Sequence, residues 1–179
     1  WKDKKYVYNF LNYIHKNDSI LDIACGTGEL LKYYNDNGFR TTGIDISEEM
    51  VNISKTKIPN PKVINMSLYD IDKLQEKFDA ISATFTLVHI PKEKINEFIK
   101  KVSERLNEDG IFFTVFTTSL QEGIQEEPLD RNYKYYAVNY STEEISTLLI
   151  YNGFEILEDI EATRINKSDV GIIVARKLK

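Results

Sequence analysis

Residues 19–30 read SILDIACGTGEL. A short apolar run, the length of a buried strand, ends in a turn with glycines at 26 and 28 and passes straight into helical periodicity. A strand that feeds a helix through so short a turn implies a crossover, because the helix must pack back onto the sheet. The unit recurs along the chain. RTTGID (40–45), KVINM (62–66), FDAISATF (78–85) and IFFTVFTT (111–118) read as further strands. Between them, residues 28–37, the stretch after the N-cap Ser47, and residues 92–107 carry helical spacing. Strands apolar on both faces, alternating with helices, specify an α/β fold: a doubly wound parallel sheet with helices on each side. Residues 4–16 add an opening helix with Val7, Phe10, Leu11 and Ile14 on one face. Ser141 and Glu144 stand in capping-box positions for a helix over 141–153. FEILEDIEATR and DVGIIVARKL follow as an antiparallel pair of strands. The 179 residues fit one domain, 1–179, within which residues 119–140 show no clear period.

Ligands of an open α/β sheet lie beyond the carboxyl ends of its strands. Gly26 and Gly28 let the backbone approach a ligand there, and the next helix points its N-terminus at negative charge. Asp45 closes the second strand nineteen positions after Gly26, where a carboxylate can accept hydrogen bonds from two ribose hydroxyls. A nicotinamide dinucleotide meets these requirements too, until the third glycine of its fingerprint. That glycine is due at position 31, where Leu31 stands. No Gly-Lys-Ser/Thr follows the turn, so a Walker phosphate loop is excluded. Asp22, just ahead of the turn, would repel a pyrophosphate and favours a ligand with an ammonium group. A net charge of 23 − 28 = −5 argues against a broad nucleic-acid surface. The single cysteine, Cys25, allows no intrachain disulfide and suits a reducing cytoplasm. No apolar run approaches membrane-spanning length, so no membrane partner is expected.

LDIACGTGEL, with its acidic residue ahead of Gly-x-Gly, and GIDIS (43–47), in this order and spacing, resemble the class I S-adenosylmethionine-dependent methyltransferases. The resemblance runs from about residue 19 to 116 and continues more loosely through YSTEEISTLLIYNGFEIL (140–157). Ala24 departs from it, standing where the family more often has glycine. The resemblance implies a Rossmann-like, mostly parallel seven-stranded sheet in the order 3-2-1-4-5-7-6, the last strand antiparallel. It implies S-adenosyl-L-methionine as cofactor and S-adenosyl-L-homocysteine as product. By position, the turn through Ala24, Gly26 and Gly28 is then a cofactor-binding turn, with Asp22 and the Gly26 backbone facing the methionine part. Asp45 falls at the ribose, and Ile46 with Met50 against the adenine. Ser67 and Leu68 edge the base through the Leu68 N–H and the Ser67 hydroxyl, since many members have Asp where Ser67 stands. The backbone carbonyls of Thr84 and Phe85 line the point of methyl transfer.

A sulfonium already makes its methyl group electrophilic, which leaves the protein to orient a nucleophile, exclude water and accept a proton. His89, in TLVHI after the fourth strand, is the candidate general base, against the alternative of a helix-edge histidine without chemistry. His15 reads as a surface residue. Cys25 reads as a small residue filling the turn rather than as a nucleophile at a helix N-terminus. Residues 119–140 read as a substrate-side lid or insertion. There Arg131, Tyr133, Tyr135 and Tyr136 are candidate substrate contacts, against the alternative of tyrosines that pack a strand. Glu122, Glu126, Glu127 and Asp130 form a solvated rim or draw in a cationic substrate. Trp1, Tyr6 and Tyr8 either close over the cofactor or pack the core. No Asp/Asn-Pro-Pro-Tyr/Phe follows the fourth strand, which disfavours amino methylation of nucleic-acid bases or glutamine by that route. The expected function is methyl transfer to oxygen or nitrogen of a small molecule, with no metal. Methylation of protein or RNA, and a non-catalytic S-adenosylmethionine-binding module, are the alternatives.

Overall fold

A computed structural model describes residues 4–119, 121–126, 134–163 and 169–179. In chain order the elements are α1 (Lys4–Leu11), β1 (Ser19–Ile23), α2 (Glu29–Asp36), β2 (Arg40–Asp45), α3 (Glu48–Lys55), β3 (Lys62–Asn65) and β4 (Phe78–Thr84). Then come α4 (Lys92–Arg105), β5 (Leu106–Thr117), β6 (Gly123–Glu126), β7 (Lys134–Ala137), α5 (Thr142–Tyr151), β8 (Phe154–Thr163) and β9 (Asp169–Lys177). Seven strands make one sheet in the order β3-β2-β1-β4-β5-β9-β8. This is the order implied by the resemblance, with β8 and β9 as its sixth and seventh strands. β9 runs antiparallel to both β5 and β8, and the other pairings are parallel. The chain winds one way from β1 to β3 and the other way from β4 onward. The crevice where strand order reverses therefore opens at the carboxyl tips of β1 and β4.

Side chains alternate across the sheet, and a core packs on each face. Leu21 and Ile23 of β1 join Ile81, Phe98, Val102, Phe112 and Leu149 beneath α4 and α5. Ile20, on the opposite face, joins Val7, Phe10, Tyr34 and Phe113 beneath α1 and α2. There the rings of Phe10 and Phe113 stack 4.8 Å apart. Asp22 shares that second face, a placement that governs its chemistry below. α1 is shorter than its periodicity suggests. After Leu11 the chain turns through Asn12 and Tyr13, the His15 N–H donates to Asp18 Oδ2 at 2.7 Å, and Asn17 adopts φ 71°. Short polar side chains offer the backbone partners that compete with a helix, while Ile14 still reaches the core. At α5 the capping box forms: the Glu144 N–H donates to Ser141 Oγ and the Ser141 N–H to the Glu144 carboxylate. The stretch without clear period holds β6 and β7, an antiparallel pair of four-residue strands too short to register as a pattern. Among the described residues, no helix is long and apolar enough to cross a membrane.

Candidate active site

The turn between β1 and α2 is left-handed at three positions: Ala24 (φ 55°), Gly26 (φ 52°) and Gly28 (φ 80°). The two glycines serve different ends. A Cβ on Gly26 would meet nothing within 4 Å, so this residue faces open space at the crevice. A Cβ on Gly28 would overlap Ser54 Oγ and lie 2.9 Å from Ser54 Cβ, so its bareness lets α3 pack on the turn. The role of the missing third glycine passes to the neighbouring strand. A Cβ on Gly43 of β2 would overlap Leu31 Cδ1 and come within 2.9 Å of Cys25 Sγ. Leu31 thus fills the space that Gly43 leaves. Burial chiefly, with Asp22 and Asp45 nearby, pushes the Cys25 thiol far up, so it stays protonated and packs as a small apolar group.

Asp45 sits at the tip of β2, 9% exposed. Its Oδ2 accepts the Gly26 N–H at 2.8 Å and its Oδ1 accepts the Ser47 N–H at 2.9 Å. Both oxygens keep a further lone pair for a ligand. Asn65, opposite Asp45 on β3, donates from Nδ2 to the carbonyls of Asp45 (3.1 Å) and Ile46 (2.8 Å), which fixes the tip. Helical and strand periodicity do not mark Asn65; its place at the end of β3, in register with the acid, is the signal. Ile46 is 76% exposed, an apolar side chain held out beside the carboxylate, and Met50 follows half-buried on α3. Ser67 caps a 3-10 turn at Leu68–Lys73 by accepting the Tyr69 N–H at 3.3 Å, and so keeps its own O–H to donate. Leu68 packs partly buried against the core.

Asp22 lies under the turn rather than at the crevice surface, 1% exposed. The Ser82 hydroxyl donates to its Oδ1 at 2.6 Å, and its Oδ2 is buried without a hydrogen-bond partner. Burial raises its pKa to about 7; the Ser82 hydrogen bond opposes the rise and the nearby Asp45 adds to it. The Tyr34 hydroxyl is buried close by, beside Ser82.

Thr84 ends β4, and Phe85 follows at φ 54°, a left-handed conformation costly for a residue with a Cβ. The buried Thr86 hydroxyl bridges the Ile23 carbonyl (3.1 Å) and the Thr84 carbonyl (3.3 Å), tying the tips of β1 and β4 together. No pattern in the sequence marks this residue. His89 closes a 3-10 turn at Leu87–His89, is exposed, and lies with its ring 4.8 Å from that of Tyr135 on β7. The Val138 N–H donates to the Val88 carbonyl at 2.9 Å and holds the two segments together. Two candidates 46 positions apart thus meet beside β4. Tyr136 points to the other face of the β6–β7 pair, 63% exposed. Arg131 and Tyr133 lie outside the described residues, as do Trp1, Glu127 and Asp130. Glu122 accepts the Asn139 N–H at 3.1 Å and faces Lys92 Nζ at 3.6 Å, and Glu126 is exposed. Tyr8 meets Tyr33 edge-on, Tyr6 packs on the α1 side of the core, and His15 is exposed. A cavity of about 710 Å³ lies among the start of α4, the residue after β5, the start of α5 and the end of β8, lined by Lys92, Thr118, Glu122, Asn139, Glu144 and Glu161 among others. No metal-binding cluster occurs among the described residues.

The donor set fits a nucleoside ligand with a cationic end. There is a carboxylate with open lone pairs, an exposed apolar side chain beside it, open space over Gly26, and a buried acid with one oxygen unpaired. Sheet order, antiparallel last strand and acids on neighbouring strands match the arrangement implied by the resemblance to class I S-adenosylmethionine-dependent methyltransferases. The chain belongs to the methyltransferase domain family, which it matches over residues 4–159. It is 24% identical over 130 residues to the ubiquinone/menaquinone biosynthesis C-methyltransferase UbiE of Campylobacter jejuni, covering 69% of this chain and 54% of that protein. The chain spans about half the length of the curated relatives it matches. A solved S-adenosylmethionine-dependent methyltransferase from Methanosarcina mazei is similar with a TM-score of 0.75 at 24% identity, covering 95% of this chain and 97% of that one. Magnesium protoporphyrin IX methyltransferase from Synechocystis, solved with bound S-adenosylmethionine, is similar with a TM-score of 0.74 at 20% identity, covering 98% and 77%. At these identities the structural likeness speaks for the fold.

Proposed function

We propose that the chain transfers the methyl group of S-adenosylmethionine to an oxygen or nitrogen of a small molecule in the cytoplasm. The observation that carries this reading is Asp45, clamped by the Gly26 and Ser47 N–H groups with lone pairs still open at the crevice. Because those two bonds fix the carboxylate beforehand, it loses little freedom when it accepts the ribose hydroxyls. Ile46 and Met50 supply an apolar surface for the adenine, and the Leu68 N–H and Ser67 O–H supply donors at its edge. The Gly26 backbone lies open toward the methionine part, with Ala24 and Gly28 shaping the turn. The carbonyls of Thr84 and Phe85 line the transfer point at the tip of β4.

When bound, the cofactor supplies an electrophilic methyl group. The protein's part is to orient the acceptor, keep water out and remove a proton. We assign to His89, after β4, the proton of a hydroxyl or amine acceptor, and to Tyr135, against its ring, one wall of the acceptor site. The small-molecule reading draws support from two similar proteins, one named for quinone biosynthesis and one for magnesium protoporphyrin IX. The test is calorimetry with S-adenosylmethionine and with NAD, followed by a small-molecule library read out as released S-adenosylhomocysteine. The expected result is binding of S-adenosylmethionine and not NAD, and release with an oxygen or nitrogen acceptor. Binding of NAD alone, or release only with protein or RNA, would overturn it.

A further inference from the structure

A carboxyl buried this completely must be neutralised by a proton or by a cation. Among the described residues no lysine, arginine or histidine pairs with Asp22. The titratable groups that face it are Tyr34 from α2, Cys25 from the glycine turn and Asp45 from β2, none of them cationic. α1, on the same face of the sheet, contributes Val7 and Phe10 to the core there. Ser82 holds one oxygen at 2.6 Å, which fixes the rotamer and leaves Oδ2 as the unpaired atom. Directly above lies the turn whose Gly26 opens on the crevice.

We propose that Ser82 positions Asp22 as a buried counter-charge for the cofactor, so that binding S-adenosylmethionine displaces a proton from Asp22 to solvent and is favoured over binding the product. This inference rests on the cofactor reading above. The cofactor carries one more positive charge than S-adenosylhomocysteine, because methyl loss turns a sulfonium into a neutral thioether. A cation in the crevice stabilises the carboxylate through the low-dielectric turn and takes the proton's place. The neutral sulfur of the product does so less, which eases product release.

The sign follows from linkage. The free protein holds the proton up to about pH 7, and the bound protein releases it at lower pH, so cofactor affinity rises as pH rises through neutrality. Isothermal calorimetry of the whole chain, in two buffers of different ionisation enthalpy, counts the protons. The expected count is about half a proton released per S-adenosylmethionine at pH 7. Measured relative to Asp22→Asn, which also subtracts the cofactor's own amine, affinity is expected to be about tenfold weaker at pH 6 than at pH 8. S-adenosylhomocysteine should release fewer protons. Ser82→Ala should move the midpoint of release to higher pH, and Ser82→Thr, which keeps the hydroxyl, should restore it. Equal heats in both buffers for the wild-type chain, or equal proton release for cofactor and product, overturn the proposal even if no variant folds. An unmoved midpoint in Ser82→Ala removes Ser82 from it. Failure of S-adenosylmethionine to bind at all would instead overturn the cofactor reading.

Discussion

Replacing Asp45 by Asn preserves shape and removes charge, and the structure sets the size of the effect. The carboxylate accepts the Gly26 N–H at 2.8 Å and the Ser47 N–H at 2.9 Å. An amide can present an oxygen to only one of them and turns its own NH₂ against the other. One charge-assisted bond is lost and one N–H is left without an acceptor, a cost of about 2 kcal/mol. For a domain of this size that lowers Tm by about 4–8 °C with no ligand present. Cofactor binding loses, in addition, the charge-assisted bonds to the ribose, about 1.5–3 kcal/mol, which weakens Kd by about 10- to 150-fold. Thermal melts of the free protein read the first effect, and calorimetry with S-adenosylhomocysteine reads the second. A lowered Tm with unchanged Kd would show that Asp45 shapes the turn without holding the ribose. If neither moves, the clamp itself is refuted.

Further substitutions separate the remaining roles. His89→Ala should lower turnover by about 100-fold and leave cofactor affinity within about twofold; equal turnover on an identified acceptor removes His89 from the chemistry. Gly28→Ala drives a methyl into Ser54 and should cost about 2–3 kcal/mol in urea unfolding, part of it recovered by adding Ser54→Gly. Gly26→Ala meets open space, so it should cost only the left-handed penalty of about 1–2 kcal/mol while weakening cofactor binding, and the reverse order of the two stabilities would contradict the division between them. Cys25, half-buried with its thiol held protonated, should resist a disulfide reagent in the folded chain, and fast labelling would show an accessible thiolate.

Most of the fold class is legible because its strands are short, apolar on both faces and punctuated by glycine or proline, so a doubly wound parallel sheet follows from alternation, while the strand order follows from the family resemblance. The end of α1 is less so. Ile14 keeps the helical period by packing on the core, while the backbone has already turned, because a side chain's burial does not reveal the path that brings it there. β6 and β7 escape because four residues cannot establish a period. In the site, the acids Asp22 and Asp45 stand out by spacing, but their surroundings do not. Asn65, Ser82 and Thr86 act through register across neighbouring strands, and that register exists only once the sheet is assembled. Leu31 is the instructive case: it stands where the dinucleotide fingerprint needs glycine and so disfavours that turn, yet the space it needs comes from Gly43 on another strand.

The most direct test is a crystal structure of the chain with S-adenosylhomocysteine. The account predicts the sugar hydroxyls on the Asp45 carboxylate, with its Gly26 and Ser47 hydrogen bonds intact, and the adenine against Ile46 and Met50. A nucleoside bound elsewhere, or one whose sugar does not touch Asp45, would contradict it.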